Sequence, residues 1–76
     1  MNIINQDRDE LITVSEVRVQ KHYYNNQFLG WNLYGFNNWD DQYLLGTFDS
    51  DHEAYLELLK LNNNNDAIKY ITIYED

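Results

Sequence analysis

Apolar and polar residues alternate along most of this chain, and the period lengthens to helical spacing only once. Residues 11–24 are rich in β-branched side chains (Ile12, Thr13, Val14, Val17 and Val19), which predicts a strand. The parity slips in the middle, with Ile12 and Val14 on one face and Val17 and Val19 on the other. Either a bulge near Ser15-Glu16 brings all four to one face, or the ordered strand begins after Ser15. Asn25-Asn26-Gln27 predicts a tight turn, because Asn tolerates the left-handed backbone that hairpins need. A second strand follows over 28–36. Leu29, Trp31 and Leu33 take one face, and Phe28, Tyr34 and Phe36 the other. Gly35 marks a twist or a close backbone approach. After a loop over 37–42, a third strand over 43–48 completes an antiparallel meander.

The helix start is the sharpest local signal. In Phe48-Asp49-Ser50-Asp51-His52-Glu53, a serine stands three residues before a glutamate, the spacing of a capping box. Asp51 adds negative charge at the positive end of the helix dipole. Ala54, Tyr55, Leu58, Leu59 and Leu61 then form one apolar stripe, with Glu53, Glu57 and Lys60 outside it. The four asparagines from Asn62 to Asn65 end the helix in a polar loop. Residues 67–74 form a last strand, with Ile71 and Ile73 on one face and Ile68, Tyr70, Thr72 and Tyr74 on the other.

These elements predict an α+β fold: one small domain of order β-β-β-α-β, its helix packed on a four-stranded, mainly antiparallel sheet. The core face is expected to be Leu29, Trp31, Leu33, Ile71 and Ile73. The last strand is expected beside the first, giving sheet order third-second-first-fourth. Residues 1–10 are polar apart from Ile3-Ile4 and read as a flexible N-terminal arm, leaving 11–76 as the folded domain.

One helix covers one face of such a sheet. Tyr34, Phe36, Tyr43, Tyr70 and Tyr74 are then expected on the open face, as a surface for a protein partner or for a second copy. The whole chain has seven Tyr, two Trp and three Phe, enough large side chains for a compact core in 76 residues. There is no cysteine, so neither a disulfide nor a thiolate zinc site is available.

Charge narrows the partner. The formal net charge is −8, which repels phosphate backbones and anionic membranes and attracts basic surfaces. Direct nucleic-acid binding is therefore not expected. Glu53 and Glu57, one helical turn apart, with Asp40-Asp41 and Asp49-Asp51 in flanking loops, have the spacing to imitate phosphates along a strand. Asp49-x-Asp51-x-Glu53 departs from a calcium loop where it matters: Ala54 replaces the glycine and Lys60 the final glutamate. His22 and His52 form no zinc-binding pattern, and no phosphate loop or nucleophile elbow occurs. No catalysis, metal or cofactor is expected.

The N-terminal residues show no basic region followed by an apolar run, and no apolar stretch has the roughly 20 residues of a membrane span, so the expected compartment is the cytoplasm. Abundant Asn, Ile, Lys, Tyr and Phe imply AT-rich codons, as in a low-GC bacterium or its phage. The segment Tyr43-Leu44-Leu45-Gly46-Thr47-Phe48-Asp49-Ser50-Asp51-His52-Glu53-Ala54, at the end of a β-β-β-α order, resembles arm-type DNA-binding domains of integrases. Those sheets are basic and this one is acidic, so no site residue carries over.

The expected function is that of a small acidic, non-enzymatic protein-binding module, such as a phage or mobile-element inhibitor of a host nucleic-acid-handling protein. Its contacts would come from Trp39, Asp40, Asp41 and the acidic pair Glu53 and Glu57, together with the open aromatic face. The alternative is a homodimer closed through that face.

Overall fold

The computed structural model describes residues 1–74. Its elements are β1 (Asn2–Ile4), β2 (Leu11–Thr13), β3 (Glu16–Tyr24), β4 (Gln27–Phe36), β5 (Gln42–Phe48), α1 (Asp51–Asn63) and β6 (Lys69–Tyr70). Among the described residues the fold is α+β with one helix, as the patterning implies. The six strands, however, form two three-stranded sheets rather than one four-stranded sheet.

The larger sheet is the expected antiparallel meander, ordered β3-β4-β5. Asn25 and Asn26 at φ 50° and 63° make the tight turn between β3 and β4. The smaller sheet is ordered β2-β1-β6, with β2 antiparallel and β6 parallel to the central β1. The last strand therefore pairs with residues expected to be an arm, and not with the first long strand. Ile3 explains this: it lies opposite both Ile12 and Lys69 and is fully buried. Residues 11–24 also divide, because Val14 and Ser15 carry the chain from one sheet to the other.

Hydrogen bonds stitch the sheets together at two points. At the first, Ser15 donates its backbone N–H to the Phe36 carbonyl at 2.7 Å, and Val14 donates to the Met1 carbonyl at 2.9 Å. Gly35 makes room here. A Cβ on it would lie 2.6 Å from a methyl of Val14, the close approach its sequence position suggests. At the second, Gln6 donates its N–H to the Leu45 carbonyl at 2.8 Å, and its amide oxygen accepts from Thr47 N–H at 2.9 Å. One residue, through its backbone N–H and its side chain, thus satisfies part of the open edge of β5.

The core lies between the sheets and α1, around Ile3, Ile12, Val14, Leu33, Leu45, Leu61 and Ile71. Of the expected core face, Leu33 and Ile71 are fully buried and Trp31 packs at the margin, whereas Leu29 and Ile73 are exposed.

The helix begins at the capping serine. Ser50 Oγ accepts from Glu53 N–H at 3.2 Å. Its orientation differs from the expected stripe: Ala54, Glu57 and Leu61 point inward, and Tyr55 and Leu59 outward. Glu57 is drawn in because its carboxylate accepts Thr72 N–H at 2.9 Å and pairs with Lys60 Nζ at 2.7 Å. Lys60 also donates to the Tyr70 carbonyl and the Thr72 hydroxyl, so the pair clamps the segment after β6 onto the helix. At the other end, buried Lys69 donates to the Leu61 carbonyl at 2.8 Å, a cation at the negative end of the helix.

Candidate functional site

The expected aromatic face is not one surface. Tyr34, Phe36 and Tyr43 belong to the meander, Tyr70 to the smaller sheet, and Tyr74 to the segment beyond β6. Phe36 is buried beneath Arg18, whose guanidinium carbon stands 4.5 Å from the ring centre and which also pairs with Glu16. Tyr34 is half-buried, and its hydroxyl accepts from Asn32 at 3.0 Å. Tyr43 and Tyr70 are exposed but separate, with Tyr70 beside the Arg8 guanidinium. Tyr74 packs edge-on against Phe48, with ring centres 5.8 Å apart. Its phenol pKa is raised above 10.0, first by desolvation and then by the negative charges of Glu57 and Glu53.

The acidic rung Glu53–Glu57 does not face outward either. Glu57 is 1 % exposed and Glu53 is half-buried at the capped helix start. The remaining carboxylates, Asp40, Asp41 and Asp49 in loops and Asp51 at the first position of α1, are all on the surface.

Trp39, Asp40 and Asp41 do come together, in a loop built by Asn37. The Asn37 side-chain oxygen accepts the N–H groups of Trp39 (2.9 Å) and Asp41 (3.0 Å), while its amide donates to the Asp41 carboxylate at 3.0 Å. Asp40 takes the left-handed backbone at φ 62° that closes the turn. The result is an ordered loop that presents Trp39, 85 % exposed, directly before Asp40 and Asp41.

A second apolar group, missed by the periodicity, lies at the other end of β4. The register of β3 and β4 shifts between His22 and Tyr23, with Leu29 as the extra residue and Gly30 at φ 142°. This bulge turns Phe28 to the Trp31 side. The rings of Tyr23, Phe28, Trp31 and Tyr55 then make successive contacts, with centres 5.6, 5.8 and 6.3 Å apart. The available signal was the helix composition, since Tyr55, Leu56, Leu58, Leu59 and Leu61 are too many apolar residues for one buried stripe.

A cleft of about 80 Å³ between residues 5–7 and 44–47 is far smaller than the roughly 300–1,000 Å³ of ordinary ligand pockets. Among the described residues, no three His, Cys, Asp or Glu side chains gather as a metal site, and no helix is long and apolar enough to cross a membrane. No family model, curated protein or solved structure matches the chain.

Proposed function

We propose that this chain is a small acidic, non-enzymatic protein-binding module whose partner presents a basic surface. The observation behind this reading is Trp39. A large ring held in water by an ordered loop contributes nothing to the core, yet its loop invests three Asn37 hydrogen bonds in fixing it. Exposed Trp on a rigid support is the side chain that most often anchors protein interfaces. Asp40 and Asp41 beside it, and the net charge of −8, select for cations around the pocket that receives the ring.

The test is capture of lysate proteins on immobilised wild-type chain, on the Trp39→Ala variant, and on an unrelated acidic protein of similar size and charge. The reading predicts a small set of basic-surfaced proteins held by wild type, released as salt rises, and lost from the variant with a cost of about 2 kcal/mol or more. Recovery no different from the acidic control contradicts it.

A further inference from the structure

We infer that the face formed by the β3–β4 hairpin and the start of α1 is a second docking surface, for a protein segment carrying apolar side chains flanked by Lys or Arg. It rests on the reading of the chain as a binding module, but not on the Trp39 loop, which lies at the far end of β4.

Phe28, Trp31 and Tyr55 touch in sequence, and Phe28 and Tyr55 are each about half exposed, at 47 % and 49 %. Leu59, one turn beyond Tyr55 on the same helix face, is 57 % exposed and extends the apolar strip. This exposure is built in. The bulge that turns Phe28 to this side depends on Gly30, whose φ of 142° excludes other residues and whose missing Cβ would lie 2.8 Å from the Phe48 carbonyl.

The end of β5 beside this bulge leads into the acidic rim. Phe48 pairs with Trp31 across β4 and β5, so the chain leaves the sheet here and enters the helix through Asp49, Ser50 and Asp51. Asp51 stands one turn before Tyr55 on the same helix face. Asp49 and Asp51 are exposed and Glu53 half-buried, while Lys21 sets its Nζ 5.7 Å from the Trp31 ring centre. An apolar strip with carboxylates at one end complements an apolar segment with cations beside it. A second copy fits poorly. A two-fold dimer through this face would bring together two chains of net charge −8 each.

The test is selection of a displayed library of random peptides on full-length wild type, Phe28→Ser/Leu59→Ser and Asp49→Asn/Asp51→Asn, with circular dichroism confirming each fold. The inference predicts enriched peptides that combine Phe, Trp or Leu with Lys or Arg. Their binding should fall by about tenfold or more on the first variant, as when an interface anchor is removed. On the second variant, whose apolar strip is intact, it should fall by a smaller factor that disappears at high salt. Enriched peptides that ignore both variants overturn this surface while leaving the binding-module reading standing. Acidic or uncharged peptides overturn the proposed partner chemistry, as does a dimer that Phe28→Ser/Leu59→Ser dissolves. Failure to enrich any peptide on wild type overturns the surface; loss of the Trp39-dependent partner as well would remove the wider reading.

Discussion

Glu57 holds one carboxylate oxygen between Thr72 and Lys60 and sends the other into a buried site with no hydrogen-bond partner among the described residues. Its neighbour Lys60 is still partly solvated, so the pair differs from a fully buried one, and its charge still holds Tyr70 and Thr72 to the helix. Glu57→Gln keeps the shape and removes the charge. We expect it to destabilise the fold by about 1–3 kcal/mol in urea unfolding, the range for a charge-assisted hydrogen bond. Ser50→Ala removes the helix cap and should cost about 1 kcal/mol by the same measurement. Tyr74 gives a pH signature. Its folded pKa is raised, so the folded state holds the proton that the unfolded chain releases near pH 10.0. Its contribution is intact below that pH and is lost as pH rises through the higher folded value. Tyr74→Phe should flatten this part of the alkaline stability profile, read by thermal unfolding from neutral to strongly alkaline pH. An unchanged profile would place the alkaline loss elsewhere.

Among the elements, the meander and the helix were legible in the sequence because their signals are local. Asn25-Asn26 supply the hairpin turn, and Ser50 with Glu53 fixes the helix start. The helix's rotation was not legible. Glu57 reads as a surface residue until Thr72 N–H and Lys60 are known to meet it. The bulge at Leu29-Gly30 was hidden for a related reason: strict alternation assigns Phe28 to the Tyr34 face, and a one-residue slip reverses the assignment. Gly30 is therefore the position where hairpin geometry is most exposed to test. Gly30→Ala meets both an unfavourable φ and the Phe48 carbonyl, and should lower stability by about 1–3 kcal/mol, the usual scale of such backbone strain. A neutral substitution would mean the bulge does not depend on glycine.

At the scale of the whole molecule, the two-sheet architecture was the least legible feature. β1 has three residues and β6 two, too few for any periodicity to show, and both acquire their role from burial of Ile3 and Ile71. The interfaces were read in part. Trp39, Asp40 and Asp41 do share one presented loop. The aromatic face dissolved because Tyr70 lies in the smaller sheet and Phe36 is buried under Arg18. What the molecule leaves uncovered is a Trp-tipped acidic loop and, at the far end of β4, an apolar strip with an acidic rim. On the proposed reading both meet a basic partner rather than a like-charged copy. Trp39→Ala, at a site that supports no core contact, should change unfolding free energy by less than about 0.5 kcal/mol while removing partner capture. The most direct measurement is sedimentation velocity of the full chain at low salt, from micromolar to near-millimolar concentration. A single monomeric species throughout is the predicted result. A dimer that persists on dilution and is abolished by Phe28→Ser/Leu59→Ser would contradict the account, because the exposed surface would then be made for the chain itself.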